Sequence, residues 1–477
     1  MTSHTDTKKI TEQRDTIVAV STALGRGAIA IVRLSGSLSR QITKKIFRPQ
    51  NPNTPIEDRK LRVGCFVSPD GEPFDEGVAV VMKAPHSFTG EDMAEFNCHG
   101  GPAVIQALLS SAREAGARPA APGEFTRRAF LEGKMDLVQC ESVADLISAE
   151  TERAARAALS HLSGALSKAL ESVWEDIVEA GAHIEAAIDF PDEFEPGSGP
   201  VPIGGPMSEE ALEKKFAAVV KKLKDLENTY SKGRILREGA RVAILGRPNA
   251  GKSTLLNRLL GTERAIVSPA PGTTRDTVEE ICDIGGLPGK LSDTAGLRDT
   301  SDEIEREGAA RARQAASGSD LCLVVVDASC GSEEIQWAEG EIRKLGPPSM
   351  LVVNKIDLDS AVFPPESAVV SPLYVISALE GSGLERLKEA VAILLSGSEK
   401  DNLDPDQAIL SRERHRDLVV RCRKALERGR DALGSGTSPE LVAVDLNEAQ
   451  RALSELLGRD WGPALLDKIF STFCIGK

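Results

Sequence analysis

RVAILGRPNAGKSTLLNRLL, Arg241–Leu260, reads as an apolar strand (Arg241–Leu245), a glycine-rich loop and the first turns of a helix (Thr254–Leu260). Gly246, Gly251, Lys252 and Ser253 fit the spacing Gly-x-x-x-x-Gly-Lys-Ser/Thr, in the strand–loop–helix setting that this pattern requires. Glycines let consecutive backbone N–H groups converge on phosphate oxygens, and the helix N-terminus adds a favourable dipole. Lys252 is expected to reach the β- and γ-phosphates and Ser253 to ligate Mg2+. Asn249, Ala250 and Thr254 are further candidates to line the nucleotide, although Asn249 taken alone could equally be a simple loop residue.

Moving outward, Asp293-Thr294-Ala295-Gly296 follows a strand and lies 41 positions (293 − 252) after Lys252. Its aspartate is placed to hold Mg2+ through water, and its glycine N–H to sense the γ-phosphate. Asn354-Lys355-Ile356-Asp357 ends the apolar strand Met350–Val353. A carboxylate there accepts both N–H donors on guanine's edge, whereas adenine would leave it unpaired. Ser377-Ala378-Leu379, after the strand Leu373–Ile376, offers a backbone N–H to the guanine oxygen. Four motifs in this order point to GTP. Leu297 stands where Ras-type enzymes carry the glutamine that orients the attacking water. Leucine can do no such work, so either hydrolysis is slow or another group positions the water. The segment from Leu297 to Glu305 offers carboxylates, though a solvated helical face would carry them too.

Strand and helix alternate over 239–399, the signature of an α/β domain with a mainly parallel sheet. On its N-terminal side, apolar residues from Val143 to Ile188 recur at three- and four-residue steps, predicting one long amphipathic helical stretch. A Pro/Gly loop follows (191–206), then a helix from Ser208 to about Arg234. Beyond Leu395 the chain turns helical again. The economical division is an N-terminal domain 1–141, a helical domain from 142–236 and 400–477, and the α/β domain 237–399 inserted into it. Thr16–Val20, Ala28–Leu34 and Gly77–Met82, broken by Gly, Pro and Asn, make the first domain strand-rich α+β.

At 477 residues the chain exceeds one ordinary core, and 41% hydrophobic with 27% charged residues is ordinary globular composition. A net charge of −14 does not advertise a nucleic-acid binder, although a local basic patch is compatible with it. No apolar run approaches 18 residues, so no membrane contact is expected, and Met1–Asp15 resembles neither a signal nor a transit peptide. The expected location is cytoplasmic. Eight scattered cysteines without a Cys-x-x-Cys pair argue for free, mostly buried thiols, with Cys474 set apart by its place near the chain end. Cys98-His99-Gly100-Gly101 is read as a tight turn with a packed histidine, and Gly25-Arg-Gly27 is too short for a dinucleotide fingerprint.

Gly272-Thr-Thr-Arg-Asp276, Asp293-Thr-Ala-Gly-Leu-Arg298, Gly123-Glu-Phe-Thr-Arg-Arg-Ala-Phe130, Ala187-Ile-Asp-Phe-Pro-Asp192 and the terminal Phe473-Cys-Ile-Gly-Lys477 closely resemble the tRNA-modifying GTPase family MnmE, also called TrmE. The resemblance runs over essentially the whole chain. It implies a multidomain α/β protein in which a Ras-like P-loop G domain is inserted in an α-helical domain, behind an N-terminal α+β tetrahydrofolate-binding and dimerisation domain. It implies a homodimer that joins the FAD-dependent partner MnmG in a heterotetramer or larger complex. Together they add an aminomethyl or carboxymethylaminomethyl group to C5 of the tRNA wobble uridine, with a one-carbon unit from a tetrahydrofolate (5-formyl or methylene). K+ beside the phosphates takes the place of an arginine finger, and the G domains dimerise when it binds.

By the same resemblance, Ser268, Pro269, Ala270, Pro271, Gly272, Thr273 and Thr274 line the nucleotide. Asn249, the Ser268 and Ala270 carbonyls and Thr273 hold K+, and Thr274 joins Ser253 on Mg2+. Glu305 orients the attacking water through a second water, steadied by Arg298. Arg33, Glu95, Lys134 and Lys477 face the folate, although Arg33 and Lys134 taken alone read as surface charge, with Arg33 ending its strand. A mobile Cys474 thiol could attack a uridine or iminium carbon, or be packed in the helical domain. Two other readings compete. A ribosome- or RNA-associated switch GTPase without modification chemistry would have a similar G domain but need a basic appendage, and none is evident. A membrane-associated GTPase would need a lipidation motif or basic amphipathic helix.

Overall fold

The computed structural model describes residues 15–23, 25–189, 208–261, 280–293, 316–361, 372–397, 407–435 and 437–477. It separates into two compact units, Met1–Ala144 with Leu457–Lys477, and Asp145–Leu456.

The first unit is built on seven strands: β1 (Thr16–Val20), β2 (Ile29–Ser35), β3 (Phe47–Pro49), β4 (Arg62–Val67), β5 (Pro73–Met82), β6 (Met93–His99) and β7 (Ala117–Pro119). Their order across the sheet is β3-β4-β5-β6-β2-β1-β7, antiparallel except for β1 and β7. Period-2 alternation sends Val18, Val32, Leu34, Ala79, Val81 and Phe96 to one face. There they pack beneath the helices Ser39–Ile46 and Pro102–Glu114. The opposite face carries Ile17, Ala19, Met93 and Phe125, with Met82 and Phe88 beside them.

The chain end belongs to this unit. Helix Pro463–Phe470 buries Leu466, Ile469 and Phe470, together with Phe473, against Phe130, Leu137 and Cys140. At about 1.5–3 kcal/mol for each large apolar side chain removed from water, this is a substantial anchor. The last residues are then tied by backbone: the Gly123 N–H donates to the Cys474 carbonyl (3.4 Å), the Phe125 N–H to the Lys477 carbonyl (3.2 Å), and Ser21 Oγ to the Gly476 carbonyl (3.1 Å). Gly476 has φ +95 and presses on the Val20 carbonyl, leaving no space for a Cβ. The stretch Leu457–Lys477, grouped with the second helical segment in the sequence reading, thus packs with the N-terminal sheet.

The second unit holds a six-stranded sheet: β8 (Ala240–Leu245), β9 (Glu280–Ile284), β10 (Leu287–Asp293), β11 (Leu321–Asp327), β12 (Ser349–Asn354) and β13 (Leu373–Val375), in the order β13-β12-β11-β8-β10-β9. All neighbours are parallel except the edge pair β9–β10. Leu321–Val326 is buried at every position, as a strand covered on both faces must be. Leu323 and Val325 face one core while Cys322, Val324 and Val326 face the other.

The helical stretch expected as one element over Val143–Ile188 is three: Leu137–Ile147, Glu152–Leu162 and Ala165–Asp189. Thr151 accepts from the Ala154 N–H (3.2 Å) as an N-cap, and Gly164 takes φ +91. These local signals override a continuous apolar stripe. The helix expected from Ser208 also divides, into Glu209–Asn228 and Tyr230–Glu238. At the junction the Thr229 hydroxyl bonds the Leu226 carbonyl (2.6 Å) and accepts the Leu410 N–H (2.9 Å). Of the cysteines, Cys98, Cys140, Cys282, Cys322 and Cys422 are buried, and Cys330 joins Cys474 as exposed. Among the described residues no helix is long and apolar enough to cross a membrane.

Candidate functional site

β8 ends at Leu245 and the helix Lys252–Gly261 begins seven residues later, so residues 246–251 form the loop at the C-terminal end of a central parallel strand. That is where α/β sheets bind ligands. Asn249 sits at φ +65 and Gly251 at φ +90, the latter so close to Asn354 Nδ2 that a Cβ would collide. Lys252 is largely buried, and its ammonium donates to the carbonyls of Gly246 (2.9 Å) and Arg247 (2.8 Å). It therefore lies coiled inside the loop it is expected to serve. Arg247 is held away by Glu334 (2.8 Å) and lies over the Trp337 ring at 4.8 Å. No motif marked those two partners.

The base side is wired by side chains. Asn354, 2% exposed, donates from Nδ2 to the Ala250 carbonyl and accepts from the Ala378 N–H at Oδ1, both at 2.9 Å. One amide thus ties the phosphate loop to the Ser377–Ala378 turn. Ser377 Oγ donates to Asp357 Oδ1 at 2.5 Å, orienting the carboxylate expected to read guanine. Lys355, at φ +67, extends its ammonium to Asp327 Oδ2 (2.6 Å) at the end of β11. Burial alone would raise the Asp327 carboxyl's pKa, but the Lys355 ammonium and the Ser329 donors hold it below the ordinary carboxylate value. Asp327 is a further site residue that sequence patterns did not flag. Leu379 is exposed, its carbonyl accepting from Arg258 Nη2 (3.2 Å).

The glycine at 251, whose missing Cβ leaves the loop open, and the Lys252 cation beside it fit a polyphosphate. The Ser253 hydroxyl and Asn249 amide are the hard oxygen donors that Mg2+ and K+ take. Asp293 closes β10 opposite Ile244 of β8. The expected positions Ser268, Pro269, Ala270, Pro271, Gly272, Thr273, Thr274, Thr294, Ala295, Gly296, Arg298 and Glu305 lie outside the described residues.

In the first unit, strand register places Arg33 of β2 opposite Glu95 of β6, and Glu95 opposite Val80 of β5. Arg33 does not end its strand; it is the fifth residue of seven, largely buried, and its Nη2 pairs with Glu95 at 2.7 Å. Its guanidinium lies over Phe88 (5.6 Å) and Phe125 (5.8 Å). Phe88 is also a wall of a cavity of about 380 Å³ that Lys134 lines. Lys134, surface charge on its own reading, is exposed but fixed by a hydrogen bond to the Pro85 carbonyl (3.1 Å). Cys474 is exposed, and Lys477 is pinned through its carbonyl at Phe125. His99, expected as packed in a turn, instead ends β6 with its ring exposed and its Nδ1 2.6 Å from Asp75. Among the described residues no cluster of His, Cys, Asp and Glu is arranged to hold a metal ion.

A phosphate loop, an adjoining strand closed by the aspartate that opens the Asp-Thr-Ala-Gly sequence, and an Asn-Lys-x-Asp motif joined to a Ser-Ala turn, on a sheet with one antiparallel edge, define a Ras-like P-loop GTPase domain. Two family models then match the chain: "MnmE helical domain" over residues 137–474 and "GTP-binding protein TrmE N-terminus" over residues 16–134. Curated relatives agree. The tRNA modification GTPase MnmE of Symbiobacterium thermophilum is 43% identical over 474 residues, spanning 97% of this chain and 99% of that one. The same-named proteins of Heliobacterium modesticaldum and Aquifex aeolicus are 40% and 42% identical, each spanning 97% of this chain and 99% or more of their own. Among solved structures, the G domain of the T. maritima FeoB iron transporter is 28% identical, spanning 32% of this chain and 96% of its own at a TM-score of 0.26. The chain belongs to the MnmE family and is a GTP-hydrolysing enzyme.

Proposed function

We propose that this chain couples GTP hydrolysis to the modification of tRNA wobble uridine. With an FAD-dependent MnmG partner it adds an aminomethyl or carboxymethylaminomethyl group at C5, drawing the one-carbon unit from a tetrahydrofolate held in the N-terminal unit. The observation that carries this reading is the pairing, in one chain, of a guanine-reading pocket wired through Asn354 and Asp357 with an N-terminal cavity next to the Arg33–Glu95 pair. A switch GTPase has no use for the second.

In the nucleotide site, Lys252 releases the loop carbonyls and takes phosphate oxygens, while Asp357 accepts the guanine N–H donors and a backbone N–H of the turn that follows Ala378 donates to the guanine oxygen. Asn354 keeps these two ends in fixed relation. Bound Mg2+ and K+ supply the positive charge that an arginine finger gives elsewhere. Ser253 and Thr274 hold the first ion; Asn249, Thr273 and the carbonyls of Ser268 and Ala270 hold the second. Glu305 orients the hydrolytic water, and Arg298 steadies Glu305. In the N-terminal cavity, Glu95 accepts from the amino and ring N–H groups of the pterin, with Arg33, Lys134 and the Lys477 terminus around it. Cys474 stands exposed at this end of the chain as a candidate nucleophile.

A homodimer through the N-terminal unit is supported by Ile29 and Val63, 66% and 59% exposed on the sheet face away from the helices. We place the protein in the cytoplasm. The test is mass spectrometry of wobble uridines from cells lacking this protein, with and without restored wild-type or Glu305→Ala copies. The reading requires loss of the modification on deletion and recovery only with wild type. Unchanged uridines after deletion would refute it.

A further inference from the structure

The cavity of the N-terminal unit has two different sides. Val80, Met82 and Phe88 give it apolar and aromatic walls, whereas Arg59, His86 and Lys134 bring basic side chains to it. The two permanent cations are held alike. Arg59 donates from its guanidinium to the His86 carbonyl, and Lys134 Nζ donates to the carbonyl of the preceding residue, Pro85 (3.1 Å). Neighbouring carbonyls therefore fix two cations side by side. Among the described residues neither forms an ion pair, and no carboxylate lines the cavity. The nearby carboxylates are engaged elsewhere: Asp58 and Asp92 accept the backbone N–H groups of Lys83 and Ala84, Glu57 pairs with Lys60 and Arg62, and Glu91 pairs with Arg128.

Arg59 is also held at a conformational cost. It sits at φ +56, a region that disfavours side chains of its size, fixed there by its N–H to the Val81 carbonyl (2.8 Å). Glycine or asparagine would occupy this turn more cheaply. An arginine kept there, with its charge uncompensated at the mouth of a cavity, fits a ligand that is flat and uncharged at one end and repeatedly anionic at the other.

We propose that Arg59 and Lys134 form a subsite for the γ-linked glutamate tail of the folate, so that this cavity selects polyglutamylated over monoglutamylated tetrahydrofolates. The proposal rests on the folate reading given above. Lys134 meets the first glutamate, and Arg59 the carboxylates that each further glutamate adds. Contacts of this exposed kind are individually weak and screened by salt, so selectivity is additive and greatest at low ionic strength.

The test is calorimetric titration of the full-length protein with 5-formyltetrahydrofolate and with its triglutamate. Wild type is expected to bind the triglutamate about fivefold more tightly at low salt, a ratio that shrinks at high salt. In Arg59→Gln the ratio falls to about one. It stays near fivefold in Lys83→Gln, which removes an exposed charge that does not line the cavity, and in Arg59→Lys, which keeps the charge. Equal affinity for the two folates in wild type, or a preference that survives Arg59→Gln or disappears in Arg59→Lys, overturns the proposal and leaves the folate reading standing. No binding of either folate to wild type overturns both.

Discussion

Asn354 and Ala378 stand 24 positions apart and meet because one ends β12 and the other follows its parallel neighbour β13, whereas Arg33 and Glu95 stand 62 positions apart and meet through antiparallel register. The first kind of site is assembled from short runs that each carry their own backbone geometry: Gly251 at φ +90, Lys355 at φ +67, and a carboxylate two residues further on. The second is assembled from single side chains scattered over three strands, β2, β5 and β6, and the segments outside them. In the nucleotide pocket the donors and acceptors are already joined to each other through Asn354 and Ser377. Beside the N-terminal cavity Arg33 and Glu95 are joined, and the cations at its edge bond backbone carbonyls. Pre-wiring suits a site that must hold one base in one orientation, while an open rim suits a ligand whose charged end varies.

If the two sites are built independently, a change in one should not reach the other. The largest effect is expected from Glu305→Ala: kcat for GTP should drop about a hundredfold with nucleotide affinity near normal and folate affinity unaltered. Turnover assays beside folate titration check this, and undiminished turnover would assign the water to another residue. Glu95→Gln should weaken tetrahydrofolate binding about tenfold, since a charge-assisted pair becomes a neutral one, while GTP turnover of the protein alone holds steady. A fall in GTP turnover there would mean that the sites are coupled. Asn249→Ala should cut the excess of hydrolysis in K+ over Na+ about fivefold; equal rates in the two ions with wild type would remove the cation from the mechanism. The smallest change is expected from Ser377→Ala, which takes the 2.5 Å hydroxyl from Asp357 and should lower GDP affinity about threefold, read by fluorescent-nucleotide displacement.

The nucleotide site was legible because its motifs are contiguous and its strands are apolar runs of the right length, so Lys252, Asn354, Asp357 and Ala378 are found where spacing put them. Asp327 was not legible: an aspartate ending a buried strand has no pattern that reveals its lysine partner 28 positions on. Arg33 read as surface charge because the partner that allows its burial is supplied by register, which the local sequence does not state. The helical flanks were overrun for the opposite reason. Their apolar period continues through Thr151, Gly164 and Thr229, and only the competing cap, the left-handed glycine and the Thr229 hydroxyl bonds break the helices. The terminal Phe473-Cys-Ile-Gly-Lys477 marked the family, but its packing against the N-terminal sheet depends on Phe130, Leu137 and Gly123, more than 300 positions earlier (473 − 137 = 336).

Calorimetric titration of GDP and XDP into wild type and Asp357→Asn, in buffer with Mg2+ and K+, bears most directly on the guanine-reading pocket. Asp357 accepts from Ser377 and, on the proposed reading, would accept two guanine N–H groups; an asparagine amide would instead accept from the xanthine ring N–H and donate to its 2-oxo group. Wild type should bind GDP and not XDP, and the variant should reverse that order by at least a hundredfold in the ratio of affinities. Wild type giving no heat with GDP, or the variant keeping the wild-type preference, would contradict the assignment.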